Sequence, residues 1–224
     1  MRIRRKKHLE ERLSLVNNYV LVADRDIPNV NEAIKDKKYF DFVSLFGNEN
    51  PVEIEIGCGK GGFIVQKALN NPNVNYFAVE LLSNIIVMAA ENAKEKKLSN
   101  VKFFNSSAEY LPRYIPNNSI NNLYLNFSPP FPPTSYESHR LTCDRRIVEY
   151  KKYLKTGGCV YQKTDDKPFF EYSFDKFVEN GFEVYDVSNK IDNGEIENVV
   201  TEYEKKFRDK GMPIYALIAI KKED

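Results

Sequence analysis

The sequence predicts an α/β fold with a mostly parallel sheet and helices on both faces. Two observations indicate it: strand-like and helix-like segments alternate along the chain, and a glycine-rich turn joins an early strand to a helix. Such alternation is typical of parallel α/β sheets. A chain of 224 residues suits one domain of ordinary core size. We therefore expect residues 1–224 to form a single domain, with residues 1–30 as a basic N-terminal arm.

The expected elements follow in chain order. Val52, Ile54 and Ile56 alternate with two glutamates, which is the two-residue period of a strand. Ser83 can cap a helix that runs to about residue 97. The remaining expectations are strands over 101–104 and 120–127, a helix over 142–154 ended by Gly157 and Gly158, a strand from residue 159, a helix over 168–180, a strand from residue 182 and a final strand over 214–220.

The glycine-rich turn after the early strand predicts a nucleotide-type cofactor pocket. Glycines adopt positive φ and let a ligand approach closely, and Gly57, Gly59 and Gly62 formally satisfy G-x-G-x-x-G, so a dinucleotide oxidoreductase is one hypothesis. Glu55 counts against it, because a carboxylate beside the turn would repel a pyrophosphate. That carboxylate suits a cofactor with a positive end, such as the ammonium and sulfonium groups of S-adenosylmethionine. Glu80, which ends the next strand, is placed to accept both ribose hydroxyls.

Composition argues against several other classes of protein. The net charge is only +1, so any basic surface for a nucleic acid must be local. Residues 1–7 are the basic candidate, and they could be either a phosphate-binding arm or a solvated tail. Three widely spaced cysteines argue against a disulfide framework and for a reducing compartment. With two histidines and no apolar run of membrane-spanning length, we expect no metal site and no membrane partner.

Several sequence blocks together resemble the bacterial tRNA (guanine-N7)-methyltransferases. The most specific are Asn126-Phe127, Lys163-Thr164-Asp165 and Thr201-Glu202-Tyr203-Glu204. The resemblance extends nearly from end to end and implies a class I S-adenosylmethionine-dependent methyltransferase, with a Rossmann-like sheet of seven strands, the last antiparallel. It also implies methylation of guanine N7 in the variable loop of tRNA and a cytoplasmic location. We expect a monomer or a homodimer.

The resemblance also implies roles for individual residues. The cofactor-binding set is Glu55, Gly57, Gly59, Glu80, Ser107, Ala108 and Asn126. The substrate-binding set is Arg140, Asp165, Thr201, Glu202, Tyr203 and Glu204, of which Asp165 and Glu204 are the candidate catalytic residues. Simpler roles remain open, because Asp165 could cap the helix after its strand and the two glutamates could be solvated charges at a helix start.

The segment 126–140 departs from the family pattern. Pro129 stands where the family has an aspartate treated as catalytic, and most of the cations that follow are replaced, leaving Arg140. Ser107 stands where the family commonly has an acid that binds the adenine. Guanine N7 has a lone pair and no proton, so the transfer depends on in-line positioning rather than on a general base. We therefore expect activity, while two alternatives stay open: a paralogue with a changed substrate and a catalytically silent RNA-binding relative.

Overall fold

The computed structural model describes residues 7–24, 26–132 and 134–223 and confirms the α/β class. The chain divides into two compact units, Met1–Pro116 (unit 1) and Asn117–Asp224 (unit 2). Each unit has its own four strands with helices packed against them.

Unit 1 is built on parallel strands in the order β1-β4-β3-β2. Its elements are α1 (Leu9–Ser14), β1 (Val20–Val22), α2 (Val30–Ala33), α3 (Phe42–Phe46), β2 (Val52–Ile56), α4 (Gly62–Asn70), β3 (Asn75–Glu80), α5 (Ser83–Glu95), β4 (Val101–Asn105), a 3₁₀ turn at Ala108–Tyr110 and α6 (Leu111–Tyr114). In the register of the sheet Glu55 pairs with Ala78, and Glu80 pairs with Asn105. The carboxyl ends of β2, β3 and β4 therefore meet at one edge, where parallel α/β sheets bind their ligands.

The core of unit 1 covers both faces of its central strands. All five residues of β2 are buried, including Glu53 and Glu55, although their alternation with apolar residues predicts a strand with one polar face. Central parallel strands are covered by helices on both faces, which accounts for the difference. On one side an aromatic cluster packs with ring centroids 4.9–5.8 Å apart; its members are Phe40, Phe77, Phe104 and Tyr114.

Unit 2 contains β5 and β6 as a parallel pair, followed by β8 and β7. Its elements are β5 (Ile120–Asn126), a 3₁₀ segment at Thr134–His139, α7 (Asp144–Tyr153), β6 (Leu154–Thr164), α8 (Lys167–Glu179), β7 (Phe182–Asp186), α9 (Ser188–Asp192), α10 (Glu202–Arg208) and β8 (Tyr215–Lys221). The last strand, β8, is antiparallel to both β6 and β7, as expected.

The strand count differs from the expected seven. The described residues form eight strands, and the additional one is β1, a three-residue strand within the segment expected to be an arm. A strand so short has no measurable period in the sequence; it forms because Val20 to Val22 pair with Phe103 to Asn105 at the edge of the sheet. Nearby, Arg12 in α1 donates to Glu91 in α5 over 2.7 Å, so α1 and β1 pack against the rest of unit 1.

Two local expectations are wrong at the level of single residues. Gly157 and Gly158 do not end a helix but lie inside β6. There the pairing of β6 with β5 has a bulge, because Ile120 pairs with Leu154 whereas Asn122 pairs with Cys159. Gly157 has φ of 73°, and a Cβ on Gly158 would lie 2.7 Å from a backbone oxygen of β5, which explains both glycines. Ser83 does not cap α5, because its hydroxyl donates to the side chain of Asn105 instead.

Candidate functional site

The glycine turn of unit 1 leaves open space beside two of its glycines. Gly57 and Gly59 have φ of 83° and 56°, and, apart from each glycine and its two chain neighbours, no atom of the described residues lies within 4 Å of a Cβ built on either one. The turn is anchored because the backbone N–H of Gly57 donates to the oxygen of Val79 over 2.8 Å. A rigid turn that presents bare backbone to open space provides the close approach that a bound ligand needs.

A third glycine of the turn has a packing role. A Cβ on Gly61, with φ of 78°, would lie 2.6 Å from the Cβ of Ala89, so this glycine lets α4 approach α5. Gly62, which completes the formal G-x-G-x-x-G pattern, has neither a positive φ nor a close neighbour among the described residues. The glycine that packs between the two helices is therefore Gly61, which the G-x-G-x-x-G pattern does not include.

Two carboxylates flank the turn. Glu55 is 2% exposed at the carboxyl end of β2. Glu80 accepts from the backbone N–H of Gly59 over 3.1 Å and of Leu82 over 2.9 Å, one bond to each oxygen, so each oxygen keeps acceptor capacity for a ribose hydroxyl. Burial raises the pKa of the Cys58 thiol, and the negative charges of the two glutamates raise it further. The turn therefore lies in a negative potential that favours the positive end of a ligand.

A cavity of about 400 Å³ lies next to Glu80 in unit 1. It is lined by Ala23, Asp24, Ile27, Pro28, Leu81, Asn105, Ser106, Ser107 and Tyr110. Ser107 accepts from the backbone N–H of Glu109 and caps the 3₁₀ turn that begins at Ala108. A cavity for a base, a carboxylate for its ribose and a negative turn for a cationic end together fit S-adenosylmethionine.

In unit 2, the strand β5 ends in a strained aromatic residue. Phe127 has φ of 52°, and its backbone N–H donates to the oxygen of Lys163 over 2.8 Å. Its ring stacks at 6.2 Å on Tyr203 and at 6.1 Å on Phe207. Tyr203 is 60% exposed, so this stack presents a flat aromatic surface.

A buried ion pair ties the end of β6 to the start of α10. The Lys163 ammonium donates to a Glu204 oxygen over 2.7 Å, to the Asn198 side chain over 2.9 Å and to the Val199 backbone oxygen over 3.0 Å. The other Glu204 oxygen accepts from Asn198 over 2.6 Å and from Arg208 over 2.9 Å. Glu204 is fully buried, so it is not a solvated charge, and its carboxylate holds neighbouring segments together.

The other predicted substrate residues of unit 2 lie near this network. Asp166, not Asp165, caps α8 by accepting from the N–H of Phe169 over 2.7 Å, so capping does not occupy the Asp165 side chain. Thr201 caps α10 by accepting from the N–H of Glu204 over 2.9 Å, and Glu202 is exposed in the first turn. Asn126 ends β5 opposite Lys163.

The loop after Phe127 is held by Arg140. This buried guanidinium donates to the backbone oxygens of Pro130 over 2.8 Å and Phe131 over 3.1 Å, and it lies 4.1 Å from the ring centroid of Tyr172. Its donors therefore serve the loop itself. The Ser128 hydroxyl is buried and has no hydrogen-bond partner among the described residues. The sequence does not predict the burial of Ser128, because a serine in a proline-rich loop gives no signal of it.

Other expectations concern the basic arm, metals and membranes. Residues 1–6 of the basic segment lie outside the described residues, and Lys7 is exposed. The described part of the chain contains no group of three or more His, Cys, Asp or Glu side chains that could hold a metal ion. Within that part, too, the helices are too short or too polar to cross a bilayer.

Solved structures share this fold at low sequence identity. A 16S rRNA methyltransferase, KamB, is similar with a TM-score of 0.59 at 15% identity, over 82% of this chain and 94% of that one. A methyltransferase from Pyrococcus furiosus is similar with a TM-score of 0.56 at 16% identity, over 84% and 89% of the two chains. These similarities support the class I methyltransferase fold.

Comparison with known sequences identifies the family as well as the fold. The family described as "Putative methyltransferase" matches residues 49–217. A tRNA (guanine-N(7)-)-methyltransferase of Bacillus licheniformis is 42% identical over 79% of this chain and 83% of its own length. The enzyme of the same name from Streptococcus uberis is 37% identical over 98% and 99%. Relatives this similar over most of the chain confirm the resemblance, and the chain belongs to the tRNA (guanine-N(7)-)-methyltransferase family.

Proposed function

We propose that this protein transfers the methyl group of S-adenosylmethionine to N7 of a guanine in the variable loop of tRNA, in the cytoplasm. The observation that carries the proposal is the pair of glutamates, Glu55 and Glu80, on either side of an open glycine turn. Membership of a family whose relatives carry that enzyme's name supports it.

The residues of unit 1 would bind the cofactor, which supplies an electrophilic methyl group on a sulfonium. Glu80 accepts the ribose hydroxyls with the acceptor capacity that its two backbone bonds leave. Glu55 attracts the positive end, and Gly57 and Gly59 let that end lie against the backbone. Ser107 and Ala108 flank the adenine. Asn126, from unit 2, belongs to the same proposed set.

The residues of unit 2 would bind the guanine. Asp165 accepts hydrogen bonds from N1–H and the amino group, which selects guanine and stabilises the positive charge that methylation creates. Thr201, Glu202 and Tyr203 complete the contact, with Tyr203 offering its exposed ring. For Glu204, a fully hydrogen-bonded carboxylate favours a positioning role, in which it holds the start of α10. Arg140 likewise supports the substrate loop through its backbone bonds.

The chemistry then needs alignment more than proton transfer. The N7 lone pair attacks the methyl carbon as the carbon–sulfur bond breaks, and the bonding pair stays on sulfur. The products are a cationic N7-methylguanine and a neutral thioether, and no proton is taken up or released at N7. Orientation of two reactants can supply roughly 7–11 kcal/mol of a barrier, so a site without the aspartate at position 129 retains the main source of rate.

A methyl-transfer assay tests the proposal directly. The purified protein is incubated with methyl-labelled S-adenosylmethionine and total tRNA, and the labelled base is mapped by cleavage at N7-methylguanine. Label at a variable-loop guanine, absent from a transcript with 7-deazaguanine at that site, supports the proposal. Asp165→Asn should reduce transfer, whereas Asp175→Asn, a charge-matched control on α8, should not. Label on another base would show a changed substrate, and cofactor binding without transfer to any tRNA would show a silent relative.

A further inference from the structure

The cavity beside Glu80 has the position that a nucleoside base requires. Glu80 ends β3, and the cavity begins at the next residue, Leu81, and extends to the end of β4 at Asn105. If Glu80 holds the ribose hydroxyls, the base attached to that ribose falls in this cavity. The exocyclic amino group of adenine is a hydrogen-bond donor, and a site that selects adenine must supply an acceptor for it.

Most polar groups that line the cavity are already bonded within the protein. The Asn105 amide donates to the backbone oxygens of Glu80 and Leu81 over 2.9 and 3.0 Å, and its oxygen accepts from Ser83. The Ser106 hydroxyl donates to the backbone oxygen of Ser107 over 3.1 Å. Two neutral hydroxyls remain, on Ser107 and Tyr110. Of the described residues that line the cavity, Asp24 alone carries a charge.

Asp24 lies on a segment that is fixed in place. Its backbone N–H donates to the Tyr114 hydroxyl over 2.9 Å, and one of its carboxylate oxygens accepts from Lys38 over 2.9 Å. Two residues later, Asp26 accepts two hydrogen bonds from Arg113, at 2.8 and 3.0 Å, and Arg113 is fully buried. These bonds fix Asp24 and Asp26, and the second oxygen of Asp24 keeps the capacity to accept.

We infer that Asp24 supplies the carboxylate that accepts from the adenine amino group, at a site where Ser107 provides no acid. The acceptor is then contributed by the N-terminal segment rather than by the loop after β4. This inference rests on the proposed cofactor. It makes Asp24 a specificity-determining residue, because a carboxylate attracts an amino group and repels the carbonyl that replaces it in hypoxanthine.

Titration calorimetry with two ligands tests the inference without any methyl transfer. The probes are S-adenosylhomocysteine and its inosine analogue, in which a carbonyl replaces the amino group and the neighbouring ring nitrogen N1 carries a proton. The wild type should bind the adenine ligand at least roughly tenfold more tightly, as expected for a hydrogen bond to a charged group. Asp24→Asn should abolish most of this preference, because an amide donates to the carbonyl of the analogue. Adding Ser107→Asp to Asp24→Asn should restore it. Glu32→Gln, on exposed α2, is the charge-matched control and should change neither affinity.

The possible outcomes test the role of Asp24 and the cofactor assignment separately. Equal binding of the two ligands by the wild type, or an unchanged preference in folded Asp24→Asn, overturns the role of Asp24 and leaves the cofactor assignment standing. Failure of the wild type to bind S-adenosylhomocysteine overturns the proposed function and this inference together. Thermal melting of each variant checks folding, and equal binding of the two ligands by the wild type would overturn the inference even where a variant unfolds.

Discussion

The glycine turn of unit 1 and the loop after β5 in unit 2 both leave a strand through positive φ angles, but with different residues. In unit 1 the angles belong to Gly57, Gly59 and Gly61, for which they cost little. In unit 2 they belong to Phe127 and Phe131, where such strain costs about 1–3 kcal/mol each. The first geometry is set by residue type, whereas the second is imposed by distant contacts from Lys163 and Arg140. Substitutions should therefore act locally in the first region and spread in the second.

The largest expected effect is loss of stability when the buried pair of unit 2 is broken. Glu204→Gln leaves the buried Lys163 ammonium without its counter-charge, which costs roughly 3–5 kcal/mol. Lys163→Met should cost less, because Glu204 keeps its ion pair with Arg208. Chemical denaturation measures it. The double variant Lys163→Met/Glu204→Gln should lose less than the sum of the two single variants, because neither member of the pair then remains buried without the other. Additive losses would show that the two side chains act independently.

The same pair predicts a pH dependence. Burial opposes ionisation of Glu204, but the Lys163 charge and the hydrogen bonds from Lys163, Asn198 and Arg208 outweigh it, so the pKa lies below its ordinary value. A lowered pKa in the folded state contributes stability above the unfolded pKa of about 4.3 and loses it as pH falls through the folded value. The stability difference between wild type and Glu204→Gln should therefore shrink as pH falls from 7 through this range. A difference that stays constant would contradict the assigned ionisation.

In unit 1 the corresponding effect falls on binding rather than on stability. Glu80→Gln and Glu55→Gln should each weaken the binding of S-adenosylmethionine by about 1.5–3 kcal/mol, because each removes a charged acceptor. Calorimetry measures the affinity, and Glu95→Gln on the exposed face of α5 is the matched control. Full affinity in both Glu55→Gln and Glu80→Gln would remove the basis for this cofactor.

These regions also differ in what the sequence could predict. The alternation over Val52 to Ile56 and the acid at Glu80 are local signals, and the structure confirms the strand and the strand end that they predict. The Lys163 partner of Glu204 is not local, since it lies 41 positions away in the sequence. The resemblance predicts that Arg140 binds the substrate, yet in the structure its guanidinium donates to the backbone oxygens of Pro130 and Phe131. The types of residue in the sequence predict a site whose geometry is set by the local backbone. They do not predict a site whose geometry is set by contacts between residues that are distant in the sequence.

A pair of glycine substitutions sharpens the same distinction. Gly61→Ala should destabilise the protein by about 1–3 kcal/mol, because its Cβ meets Ala89 at 2.6 Å and its φ of 78° disfavours alanine. Gly62→Ala, one residue later in α4, has open space among the described residues and an ordinary φ. It should be neutral or stabilising by up to about 1 kcal/mol. Equal losses in the two variants, measured by thermal melting, would contradict the packing role of Gly61.

The smallest expected effect concerns the residue that departs most from the family. Pro129 is exposed, so Pro129→Asp adds a carboxylate at little cost to folding. Because guanine N7 carries no proton, that carboxylate has no proton to remove and cannot act as a general base. Its remaining contribution is to position the guanine. The single-turnover rate of methyl transfer should therefore change by less than roughly tenfold, or about 1.4 kcal/mol.

The matched control is Pro129→Asn, because asparagine has the same shape as aspartate without the charge. A wild type without activity that gains transfer in Pro129→Asp but not in Pro129→Asn would mean that the charge is essential and that this chain is a silenced relative. Transfer at similar rates in all three proteins would place the source of catalysis in alignment of the two reactants.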